Sequence, residues 1–183
     1  MTRVLTLLAI STAAASLFAA DPSAPSIGKI YDAQIRSIEA EVVPLAEAMP
    51  ADKYDFAPTT GNFKGVRTFS LQMTHIATVI YEVSAASLGE KSPVARGNDD
   101  NGAASIHGKE AVVKYLKDSL VYAHKATAAL TAANMMDLMQ SPFGSQKTTR
   151  LELLSEIPWH TYDHYGQSVE YLRLNGIVPP ASR

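Results

Sequence analysis

The stretch KEAVVKYLKDSLVYAHKATAALTAA, residues 109–133, limits the fold more than any other. Val113, Leu116, Leu120, Ala123, Thr127 and Leu130 recur at alternating spacings of three and four. That period places them along one stripe of a helix and is the pattern of a bundle seam. A single helix cannot bury such a stripe, so the chain must supply partner helices.

Three other segments supply them. Residues 26–49 carry Ile27, Ile30, Tyr31, Ile35, Ile38, Val42, Leu45 and Ala46 at helical spacing, with Pro44 predicting a kink. A second helix is expected over 68–88, capped by Thr68 or Ser70 and ended by Gly89, with Leu71, Ile76, Val79, Ile80 and Val83 as its apolar side. The last is expected to start at Thr148 or Thr149 and to stop before Gly176, with a break or bulge at Pro158. Residues 49–65, 92–108 and 134–146 read as loops. The NDDNG run at 98–102 suits a solvated turn, because it lacks the later glutamate and the spacing of an EF-hand. The methionine cluster at 135–139 reads as gap-filling packing. No segment alternates with period two. The expected fold is an all-α four-helix bundle over residues 26–183.

Ahead of it, Arg3 and the apolar run VLTLLAISTAAASLFAA, 4–20, read as a signal peptide covering residues 1–20, with 21–25 as a linker. A cut after Ala20 or at the A-x-A of Ala13 and Ala15 is expected, and a retained anchor is the alternative. Export predicts a periplasmic or secreted domain, without a stable membrane anchor once the signal is removed. The chain has no cysteine, which excludes disulfides, thiolate metal sites and thiol nucleophiles. Its net charge of -2 argues against a nucleic-acid surface.

Chemistry concentrates in WHTYDHYGQ, 159–167. His160 and His164 stand four apart, so on a helix both imidazoles share a face and can address one ion. Thr161 follows His160 where the H-E-x-x-H protease signature needs glutamate. With five histidines in the chain, a chance pair at this spacing remains an open reading. A third ligand has to come from another helix. His107 lies in a glycine-rich loop, and His124 lies one position past the seam residue Ala123. His75, in LQMTHIATV, is the best candidate, since an imidazole in apolar surroundings needs a partner. A satisfied core histidine or a surface position are the alternatives for it. Three protein ligands would leave zinc a fourth position for water or substrate. Nickel or another divalent ion is equally compatible with imidazole.

Other residues nearby have weaker claims. Gln167 shares the histidine face and is a candidate to bind a ligand or orient an imidazole, with a plain surface glutamine as the alternative. Glu82 lies two turns beyond His75 and is read mainly as an exposed charge, Asp163 as a solvent charge. Tyr162 and Tyr165 read as core and interface aromatics, Trp159 as a packing anchor, and Gly166 as a point of close helix approach. No carboxylate next to the histidine pair is identifiable as a general base.

FSLQMTHIATVIYEVSAASLG, 69–89, TTRLELL, 148–154, and HTYDHYGQSVEYLRLNGIVPP, 160–180, resemble in order and spacing the DinB/YfiT-like superfamily of metal-binding four-helix bundles. The resemblance spans nearly all of 26–180. It implies that His75, His160 and His164 are the ligands of a divalent metal, zinc or nickel. It also implies a small-molecule ligand, a homodimer, and either hydrolase or low-molecular-weight-thiol transferase activity. The signal-like start departs from the many family members that look cytoplasmic and weakens the thiol-transferase expectation. A module that binds metal or a small ligand without turnover, or a purely structural bundle, are the alternatives.

Overall fold

The computed structural model describes residues 24–183, so the expected signal peptide lies outside the described residues. Four long helices, α1 (Ile27–Ala48), α2 (Phe69–Leu88), α3 (Lys109–Ala128) and α4 (Arg150–Leu174), form a bundle, as the seam pattern requires. Thr68 caps α2 as expected, and α1 and α4 are capped in the same way. The Ser26, Thr68 and Thr149 hydroxyls accept from the backbone N–H groups of Lys29, Leu71 and Glu152. Gly89 closes α2 at φ 72, a conformation other residues take at a cost.

Around the bundle the order is α1–α3–α2–α4: α2 packs on α3 and α4, and α1 packs on the same two. The connections 49–68 and 129–149 therefore cross a diagonal, while 89–108 joins neighbouring helices. Part of the first is pinned to α2: Phe69 N–H donates to the Phe56 carbonyl and Ser70 N–H to that of Tyr54. The core runs through all four helices, with Ile35, Leu45, Met73, Ile80, Leu116, Leu120, Leu154 and Leu172 fully or nearly fully buried. α2 is the central element, buried on almost every side from Phe69 to Ser87. Gly28 permits close packing of α1 on the end of α3. A Cβ there would sit 2.7 Å from the carbonyl oxygens of Thr127 and Leu130.

Several expectations need correction. α4 runs unbroken through Pro158, where a break or bulge is expected, and Pro44 likewise lies inside α1 without ending it. Buried neighbours on both sides, Val42 and Leu45 in α1 and Ile157 and Thr161 in α4, hold those turns in the core despite the lost backbone bond. α3 ends at Ala128 rather than Ala133, and its last expected seam residue, Leu130, reaches the core from the turn that follows. The segment expected to be a loop holds a hairpin, β1 (Leu138–Gln140) against antiparallel β2 (Lys147–Thr149). Leu71 and Ile30 face solvent. A Cβ on Gly166 would meet nothing within 4 Å, so this glycine marks no close helix approach. Among the described residues, no helix is long and apolar enough to cross a membrane.

Candidate metal centre

The α2–α4 seam brings His75, His160 and His164 together. One ligand atom from each lies within 4.8 Å of the others. The ring centroids are 5.0 Å apart for His75 and His160, and 4.6 Å for each of the other two pairs. His75 and His164 are buried and His160 is largely so. Helical spacing on α4 supplies two of the rings, and the packing of α2 against α4 supplies the third.

Hydrogen bonding decides which nitrogens are free. His75 Nδ1 lies 3.1 Å from the Asp100 carbonyl. A carbonyl only accepts, so Nδ1 carries the proton and Nε2 keeps its lone pair. For His164 the same conclusion follows through a longer chain. Asp163, a carboxylate, accepts from Gln167 Nε2 at 3.1 Å, which turns Gln167 Oε1 toward Gln72. Gln72 Nε2 donates to it at 3.0 Å, so Gln72 Oε1 faces His164 and accepts from its Nδ1 at 2.7 Å. The two amides and the tautomer of His164 are thus oriented from one exposed carboxylate. His160 Nε2 sits 3.1 Å from His75 Nε2, while its Nδ1 is buried without a partner.

The electrostatics keep the rings neutral. Burial pushes His160 down to about 3, with the neighbouring His164 and His75 adding to the effect. Burial likewise brings His164 down to about 4, and it lowers His75 with help from Arg67. Metal binding needs the neutral imidazole. Two rings with oriented lone pairs, a third facing them and no competing protonation make a donor set that fits a divalent transition metal.

The loop that holds His75 is itself tightly built. Asp99 and Asp100 adopt φ 52 and 58, left-handed conformations that aspartate tolerates better than most residues. Gly97 and Gly102 close the turn: a Cβ on Gly97 would lie 1.8 Å from the Gly102 carbonyl oxygen. Arg67 anchors it through Asn101 Oδ1 at 2.8 Å and the Asp99 carbonyl at 2.9 Å. The NDDNG run is therefore more than a solvated turn, since it presents the backbone oxygen that orients a metal-candidate histidine.

Of the remaining candidates, Gln167 and Asp163 act on His164 through Gln72, a residue the sequence reading did not single out. Glu82 makes no hydrogen bond to the triad among the described residues. Trp159 is mostly exposed, with its ring centroid 6.0 Å from that of His160, and Tyr162 is partly exposed. Tyr165 is half-buried and packs against the core. His107 lines a separate groove, and His124 lies on the α1–α3 seam.

The family model described as the DinB superfamily matches residues 34–168, a span that holds all three histidines. The chain belongs to the DinB superfamily. No curated protein sequence matches it. The crystal structure of a DinB-like protein from Bacillus cereus ATCC 10987 superposes with a TM-score of 0.62 at 14% identity, covering 83% of this chain and 92% of that one. At that identity the likeness speaks for the fold: this DinB chain keeps the bundle on which the triad is built.

Proposed function

We propose that this DinB protein is an exported, metal-dependent enzyme that hydrolyses a small molecule. His75, His160 and His164 would hold one divalent ion, zinc or nickel. The observation that carries the reading is the convergence of three neutral imidazoles in a cluster without a fourth protein ligand among the described residues. Three ligands are the pattern of a catalytic zinc site, in which the ion supplies Lewis acidity and an acidified water. A cavity of about 420 Å³ borders His75 and His160, room for a small ligand rather than a polymer. The protein's own part is to orient His75 through the Asp100 carbonyl and His164 through Gln72. Hydrolysis is preferred over thiol transfer because the signal-like residues 1–20 favour export, away from cytoplasmic thiols.

Elemental mass spectrometry on tag-free protein, exported and purified without added metal, tests this. About one equivalent of zinc or nickel is expected, and His75→Ala, His160→Ala and His164→Ala should each lose it. Absence of metal in the parent protein even after incubation with divalent ions would overturn the reading.

A further inference from the structure

The cavity beside the triad holds one acid without a partner. Glu156 lies on α4 one turn before His160, so the two side chains share a helix face and line the same cavity. Arg96, Asp100 and Phe143 complete its far wall. Two of the cavity's charges are already spent on each other: Arg96 Nε pairs with the Asp100 carboxylate. Arg96 also donates from Nη1 to the Pro142 carbonyl at 2.8 Å and lies over the Phe143 ring, 4.8 Å from its centroid. Glu156 is half-buried and makes no hydrogen bond or ion pair among the described residues. Lys147 and Glu152 share a second cavity with it, but Glu152 is engaged by the Thr148 hydroxyl. Burial raises the Glu156 carboxyl above the usual range.

A half-buried carboxylate with no partner destabilises a fold and contributes nothing to packing that a glutamine would not. It does not belong to the ligand cluster, which contains the three histidines alone. What it can do is accept a proton from a molecule seated between it and the triad. We propose that Glu156 is the proton-accepting carboxylate of this cavity, serving ligands that must give up an acidic O–H or N–H proton as they bind. This inference rests on the metal reading above and adds the base that the sequence did not reveal.

Two probes separate the claims. Cobalt-substituted protein reports ligand binding through its visible spectrum. Acetohydroxamic acid binds such centres as the hydroxamate. Its O–H bond breaks, and the proton passes to the Glu156 carboxylate, which becomes the neutral acid. Azide binds as an anion and brings no proton. In Glu156→Gln, which keeps shape and removes proton-accepting capacity, acetohydroxamate should bind about tenfold or more weakly, while azide affinity stays within about twofold. Unchanged acetohydroxamate affinity would overturn the proposal. So would an equal loss for both probes, which would assign Glu156 to shaping the cavity. Failure of the parent protein to take up cobalt would remove the metal reading and this inference with it. Cobalt uptake with either of the two adverse ligand results would remove this inference alone.

Discussion

Between α2 and α4, three imidazoles face one another with no carboxylate in hydrogen-bond contact with them among the described residues. On the opposite seam, between α3 and α1, a single imidazole is held between two carboxylates. His124 Nδ1 lies 2.6 Å from Asp32 Oδ1 and its Nε2 lies 3.3 Å from Glu39 Oε2. Asp32 is further engaged by Arg36 and by the Thr127 hydroxyl. Same residue type, same bundle, contrary use. Both nitrogens of His124 are taken, so the ring ties two helices together and has nothing left for an ion. Two of the triad's rings, His75 and His164, are oriented by a backbone carbonyl and an amide, which fix the proton without supplying charge, and their lone pairs stay available. A histidine's role is thus set by what faces its second nitrogen, and this can be tested from both sides.

The largest contrast should appear with acid. His160 and His164 are held at about 3 and about 4 in the fold, against about 6.5 in an unfolded chain. Their folded values are depressed, so between pH 6.5 and about 4 the unfolded chain binds more protons, and stability falls as pH falls. The half-buried Glu156, whose folded value is raised, opposes this in part. Metal-free protein should therefore lose about 2 kcal/mol for each of these two rings between pH 7 and pH 5, less what Glu156 offsets. Urea unfolding at the two pH values measures it. A His160→Leu/His164→Leu double variant should flatten the slope, and an equal slope in that variant would show that the triad is not its source.

Next in size is the amide that orients His164. Gln72→Leu keeps the volume but removes the acceptor for Nδ1, freeing the ring to turn or change tautomer. Loss of such an orienting partner typically costs 10–100-fold in metal affinity, and about that drop in zinc affinity is expected by competition with a chromophoric chelator. Unchanged affinity would mean that α4 alone orients His164.

These two sites also show how much a chain of this kind discloses before it is folded. The bundle and the His160/His164 pair could be read because both follow from spacing along one helix. His75 stands out in the sequence as an imidazole in apolar surroundings, and the resemblance to the DinB bundles strengthens it. Gln72 could not be found that way. Its role depends on which residues of α4 face it across the seam, and glutamine in a helix carries no signature of its own. The Asp100 carbonyl was hidden for a different reason: it is a backbone atom, placed by two left-handed aspartates and a glycine-closed turn. Glu156 lies one turn before His160, yet spacing alone could not tell an unpartnered carboxylate in a cavity from a solvated one. The hairpin at 138–149 was missed because strands of three residues are too short to show alternation.

The smallest effect belongs to the other seam, and it is the one that sharpens the comparison. His124→Ala removes a ring that bridges α1 and α3, but Asp32 keeps Arg36 and the Thr127 hydroxyl, and both carboxylates are partly solvated. Solvent can therefore replace most of what the ring supplied, and a loss of about 1 kcal/mol in stability is expected. Metal content should not change at all, because no atom of His124 takes part in the α2–α4 seam. Thermal unfolding and metal analysis on the same preparation read both quantities. A His124 variant that unfolds earlier yet keeps its full equivalent of metal would separate the bridging use of histidine from the ligating one. A variant that loses metal in step with stability would instead show that α1 and α3 hold the triad's geometry from across the bundle.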